Sequence, residues 1–123
     1  MASRVLVADD ARFMRQLIRE IIEPEGFEVV GEAADGRAVV EEFTRLSPDV
    51  VTMDIVMPKR SGIDAVKEIL ALDPTARIVM VSALGQEALV MEALQAGAAD
   101  YVVKPFKPDA VVTTLRKVLE KDR

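Results

Sequence analysis

The 123 residues contain no cysteine and no histidine. The first absence excludes a disulfide framework, thiolate metal ligands and a cysteine nucleophile. The second removes the commonest general base, the commonest zinc ligand and any phosphohistidine on this chain. Basic residues are in deficit, 16 against 21 acidic for a net charge of −5, which argues against nonspecific nucleic-acid binding because that needs a basic patch. No run of about 20 apolar residues is present, as a membrane span would require. Met1-Ala2-Ser3-Arg4 leads straight into a short apolar stretch and two aspartates, which is not the pattern of a signal peptide. The expected location is therefore the cytoplasm, with no membrane and no direct nucleic-acid partner. What is abundant is apolar side chain, half of all residues, enough for a sizeable core in one domain of ordinary size. No linker, repeat or low-complexity segment interrupts it. Residues 1–123 are expected to form a single domain with no output domain attached.

Short β-branched runs alternate with amphipathic segments. Val5–Ala8 reads as a buried strand, and Met14, Leu17, Ile18, Ile21 and Ile22 follow at helical spacing until Pro24 and Gly26 stop them. Glu28–Gly31 reads as a second strand. Asp35-Gly36 marks a turn before a helix with Val39, Phe43 and Leu46 on one face, and Ser47-Pro48 breaks it. Val50–Met53 is a third strand. A loop with Pro58 and Gly62 leads to a helix carrying Ile63, Val66, Ile69 and Leu70, ended by Asp73-Pro74. Ile78–Val81 is a fourth strand, followed by a helical face of Leu89, Val90, Ala93 and Leu94 closed by Gly97. Tyr101–Val103 is a fifth strand, and Pro108 opens a last helix with Val111, Val112, Leu115, Val118 and Leu119 inward. Strands that are apolar throughout point to a parallel sheet covered on both faces. Five β-α units with right-handed crossovers then give a doubly wound α/β domain, a five-stranded parallel sheet flanked by five helices.

In such a sheet the carboxyl ends of the strands form the functional edge. Strand one ends at Asp9-Asp10, strand three at Asp54, strand four at Ser82 and strand five at Lys104-Pro105. Each has a bland reading: the aspartate pair as a helix cap, Asp54 as a turn residue, Ser82 as structural, Lys104 as a solvated charge. Together they place three carboxylates, a hydroxyl and an ammonium at one edge. Carboxylates within about 4 Å repel by about 4 kcal/mol per pair at an effective dielectric near 20, so a compensating cation is expected. A hard divalent ion with oxygen ligands, Mg²⁺ or Mn²⁺ in its place, suits Asp10 and Asp54, with Asp9 direct or through water. Metal, lysine and hydroxyl suit a phosphoryl group, and a carboxylate at their centre can be the nucleophile. That role falls to Asp54.

These residues resemble the receiver domains of two-component response regulators, over essentially the whole chain. The motifs are Val7–Asp10; Pro48–Pro58 with Gly62; Val81-Ser82-Ala83; and Ala96–Phe106. Ser82-Ala83-Leu84-Gly85-Gln86 is similar to stand-alone chemotaxis receivers of the CheY type. The resemblance implies a flavodoxin-like strand order 2-1-3-4-5. It implies phosphorylation of Asp54 by a histidine kinase, Asp9, Asp10, Asp54 and the Val56 carbonyl as Mg²⁺ ligands, and Lys104 on the phosphoryl group. Ser82 would move toward the phosphate and Tyr101 would swing inward with it. The Lys104–Pro105 bond would be cis. Leu84, Leu89, Met91, Ala98, Tyr101 and Lys107 become candidates for a face that binds a flagellar motor switch protein or another target. A helper phosphatase is a further possible partner. The chain would be a signalling switch and not an enzyme, although it promotes its own phosphorylation and dephosphorylation.

Other functions remain open at this point. A Mg²⁺-dependent phosphatase of the haloacid-dehalogenase kind carries a second aspartate two residues after the nucleophile, where this chain has Val56. An FMN binder needs a Gly/Ser/Thr-rich phosphate loop, where this chain has Asp9-Asp10-Ala11-Arg12. A receiver belonging to a larger transcription factor and a receiver that acts without phosphate are the remaining readings.

Overall fold

The computed structural model describes residues 2–120. Its elements are β1 (Arg4–Ala8), α1 (Arg12–Ile22), a 3₁₀ turn (Glu23–Glu25), β2 (Glu28–Ala33), α2 (Gly36–Leu46), β3 (Val50–Asp54), α3 (Gly62–Leu72), β4 (Ile78–Ala83), α4 (Glu87–Ala96), β5 (Asp100–Lys104) and α5 (Pro108–Glu120). The strands form one parallel sheet in the order β2-β1-β3-β4-β5, as the family resemblance implies.

Strand residues alternate between the two faces, and the core splits accordingly. Leu6, Val51, Met53, Ile78 and Met80 pack with Val39, Phe43, Val66, Ile69, Val90 and Ala93 under α2, α3 and α4. Val5, Val7, Val50, Val79 and Val81 pack with Ile18, Ile22, Val111, Leu115 and Val118 under α1 and α5. Both faces are covered by helices, which is why the three inner strands read as continuous apolar runs.

The strands outlast their apolar runs at the carboxyl ends: β2 reaches Ala33, β3 Asp54, β4 Ala83 and β5 Lys104. Backbone pairing continues there under polar side chains, as in Asp54↔Val81 and Ala83↔Lys104. Side-chain hydrophobicity therefore stops reporting the strand one or two residues early. Asp35 is the N-cap of α2, its carboxylate accepting from the N–H groups of Arg37 and Ala38, so its negative charge also meets the positive end of the helix dipole. Ser61 caps α3 in the same manner through the Asp64 N–H. These two caps set where α2 and α3 leave the functional edge.

Candidate functional site

Asp9 follows β1 and continues its pairing with β2, its N–H donating to the Ala33 carbonyl at 3.0 Å. Its carboxylate is only 1% exposed. Oδ1 accepts from the Ala11 N–H at 2.9 Å, and Oδ2 lies 3.4 Å from Lys104 Nζ. Asp54 closes β3, 8% exposed, with Oδ2 3.5 Å from the same ammonium. Asp54 and Lys104 lie on the α1/α5 face of their strands, in step with Val50 and Val102. Asp10 is exposed at the rim. One carboxylate oxygen from each of Asp9, Asp10 and Asp54 fits within a group whose members are all within 4.8 Å of one another.

Asp9 and Asp54 thus share one lysine, and Asp10 adds a third carboxylate to the group. Burial pushes the Asp54 carboxyl above its ordinary range and the neighbouring Asp9 charge adds to this, against the opposing pull of Lys104 and of the Val56 N–H that donates to it. A group held in this way is under-neutralised. The donor set is all oxygen, with the Asp10 side open to solvent, and fits a hard divalent cation that keeps several waters.

Ser82 is buried close by but faces the other side of the sheet, in step with Ile78 and Met80. Its Oγ donates to the Val102 carbonyl at 3.5 Å, too long for a strong hydrogen bond. It also borders a cavity of about 260 Å³ shared with Leu84, Met91, Tyr101 and Val103. The Lys104–Pro105 peptide is cis.

A family description, the response regulator receiver domain, matches residues 5–116. The chain belongs to the receiver domain family. Among the relatives of this receiver, the chemotaxis protein CheY of Thermotoga maritima is 55% identical over 118 residues, 96% of this chain and 98% of the relative. The CheY of Bacillus subtilis is 52% identical over 119 residues, 97% of this chain and 99% of the relative. A solved complex of CheX with CheY, BeF₃ and Mg²⁺ from Borrelia burgdorferi superposes with a TM-score of 0.91 at 37% identity, covering 97% of this chain and 90% of that one.

Two of the candidate partner-face residues are not exposed. Ala98 is 8% exposed and packs in the α2–α4 core. Gly97, with φ of 117°, closes α4, and the Ala98 N–H bonds back to the Ala93 carbonyl at 3.0 Å, a C-terminal cap that folds the next apolar side chain inward. Leu89 is half-buried against the same core and lines a groove with Ile55, Val56 and Ile63, on the α3 side of α4. Leu84, Met91, Tyr101 and Lys107 are exposed.

Sequence reading missed the network behind Asp9. Arg15 Nη1 donates to the Asp9 carbonyl at 2.6 Å and Nε to Glu32 Oε1 at 2.8 Å, while Arg19 Nη2 donates to Glu32 Oε2 at 2.8 Å. These bonds hold the Glu32 carboxyl below its ordinary range, Arg19 contributing most and Arg15 next, against burial. Only the i,i+4 spacing of Arg15 and Arg19 was visible; their partner lies on another element.

Proposed function

We propose that this chain is a phosphorylation-switched signalling protein of the chemotaxis type, a single receiver unit in residues 1–123 acting in the cytoplasm. The observation that carries the reading is the buried Asp54 carboxylate grouped with those of Asp9 and Asp10 and 3.5 Å from Lys104. Asp9, Asp10, Asp54 and the Val56 carbonyl are the residues to hold Mg²⁺, with Mn²⁺ as a substitute. When bound, the cation offsets charge on the carboxylates and on phosphoryl oxygens. Asp54 Oδ attacks phosphorus as the P–N bond to a histidine of the kinase breaks. The imidazole leaves and takes up a proton, and the product is an acyl phosphate on Asp54. Lys104 Nζ meets the charge spread over the phosphoryl oxygens. Water later attacks that phosphorus, returning the carboxylate and inorganic phosphate.

The switch follows from local contacts. A phosphoryl group adds about −1.5 to −2 charges and three acceptor oxygens. Ser82 holds its own carbonyl partner at 3.5 Å and can exchange it for a phosphoryl oxygen, drawing in the loop after β4. Tyr101 borders the adjoining cavity, so its ring can follow and reshape the face of Leu84, Met91, Tyr101 and Lys107. That face would receive a flagellar motor switch protein or another target. The population of two pre-existing states shifts accordingly. The CheX–CheY complex of the Borrelia relative supports a further protein partner for the phosphorylated form, such as a phosphatase.

Mass spectrometry with Mg²⁺ and acetyl phosphate or phosphoramidate tests the acceptor directly. One added phosphate is expected on wild type, with none on Asp54→Ala and none when EDTA replaces Mg²⁺ during the reaction. No phosphate on wild type that measurably binds Mg²⁺ would leave a receiver acting as a constitutive binding surface. A second expectation concerns lifetime. Val56, two past Asp54 and 55% exposed, and Leu84, two past Ser82 and 77% exposed, offer no side-chain hydrogen bond to an attacking water. Self-dephosphorylation is therefore expected to be slow. A half-life of seconds without any helper protein, read by ³²P release, would contradict this.

A further inference from the structure

We infer that Arg15 and Glu32 form a charge-neutral clamp that sets the direction of the Asp9–Asp10 pair and so tunes the cation affinity of the acidic site. The inference rests on the Mg²⁺ reading above. Asp9 is fixed from several directions: its N–H by Ala33, and its carboxylate by Ala11 and Lys104. Asp10 has no comparable support. Its carboxylate is exposed, and no hydrogen bond to it is found among the described residues. What orients Asp10 is the peptide that joins it to Asp9. The carbonyl of that peptide accepts from Arg15 Nη1 at 2.6 Å.

A guanidinium beside a cation site is an electrostatic liability unless its charge is offset. Arg15, with a side chain 15% exposed, spends a second donor on Glu32, which also takes Arg19, and Arg19 reaches Glu23 at 3.0 Å. Two guanidiniums face two carboxylates, so the group presents a directed N–H to the metal-site backbone with little net positive charge. The planar fork of arginine makes both contacts at once, and a lysine ammonium lacks that geometry. Groups that orient ligands from behind typically change metal affinity 10–100-fold when removed.

Charge and positioning predict opposite signs, which makes the test decisive. Deleting a nearby positive charge should tighten Mg²⁺ binding; deleting a clamp should weaken it. Isothermal titration of Mg²⁺ into wild type, Arg15→Ala, Arg15→Lys and Arg19→Ala, with a thermal melt of each in EDTA, separates these. Both Arg15 variants are expected to bind about tenfold more weakly. Arg19→Ala removes ion pairs to Glu23 and Glu32 without touching the Asp9 carbonyl, so it is expected to melt lower yet bind Mg²⁺ within about twofold of wild type. An Arg15→Ala protein that binds as tightly as wild type, or more tightly, overturns the clamp. So does an Arg19→Ala protein weakened as much as the Arg15 variants, because general loosening would then be the cause. If wild type itself binds no Mg²⁺, the metal reading fails and the clamp with it, an outcome distinct from the other two.

Discussion

Metal-free Asp54→Asn protein is expected to melt above wild type at pH 7, and saturating Mg²⁺ to reverse that order. Asp54 is almost fully buried, and its carboxyl is pushed up by burial and by Asp9 more than Lys104 and the Val56 N–H pull it down. Because the folded-state pKa is raised, the protonated form favours the fold. That contribution is fully present below the unfolded value, about 3.9 for aspartate, and is lost as pH rises through the raised folded value. At pH 7 the ionised side chain works against folding, and asparagine does not. The gain is on the order of 1 kcal/mol, the size of an ordinary single-residue effect, or roughly 4 °C in Tm for a chain of this length. It should shrink as pH falls toward the unfolded value. A cation at about 100 times its Kd stabilises the fold by about 2.7 kcal/mol, roughly 10 °C. The asparagine variant loses one of the three carboxylates and most of that gain. Calorimetric melts with EDTA and with Mg²⁺ read both arms. An asparagine variant that melts lower in EDTA would mean that Asp54 is satisfied without a cation.

Gly62→Ala is expected to destabilise the protein by about 3 kcal/mol, at the upper end of ordinary overpacking costs, and to lower Tm by roughly 10 °C. A Cβ at Gly62 would sit 2.3 Å from the Asp54 carbonyl oxygen, 2.8 Å from that of Ile55 and 2.9 Å from the Ile55 Cα. All three are backbone atoms, so no side-chain rotation relieves the contact. The Gly62 N–H also donates to the Ile55 carbonyl at 2.8 Å, so the start of α3 is tied to the strand end it would have to leave. Asp54 and Val56 stand on that same stretch of backbone, and Mg²⁺ affinity should fall with stability. Gly26 gives the comparison. It has φ of 96° with nothing within 4 Å of a built Cβ, so Gly26→Ala costs only left-handed strain, about 1–2 kcal/mol. Urea unfolding of both variants decides. Equal small losses would show that close approach is not what requires glycine at position 62.

Much of this protein was decided along the chain itself. Apolar runs such as Val50–Met53 and Ile78–Val81 stand alone as local signals of buried strands, and breakers such as Pro24, Pro48 and Gly97 mark the intervening segments. The parallel, doubly wound architecture follows because alternating elements of this kind have few ways to bury both sheet faces. Asp9, Asp54, Ser82 and Lys104 were legible for the same reason: each directly follows or closes an apolar run, Asp10 comes one residue after Asp9, and the strand ends converge on one edge.

Tertiary structure alone decided the rest. Which sheet face a strand-end residue takes depends on pleat phase, so Asp54 and Lys104 meet while Ser82 looks toward Tyr101. Ala98 and Leu89 are apolar like Leu84 and Met91, yet a C-terminal cap and a neighbouring helix bury the first and half-bury the second. The Arg15–Glu32 contact joins residues 17 positions apart on a helix and an edge strand. Charged side chains carry no periodic apolar signal, so their partners are fixed only when the packing of α1 against the sheet brings the two elements together.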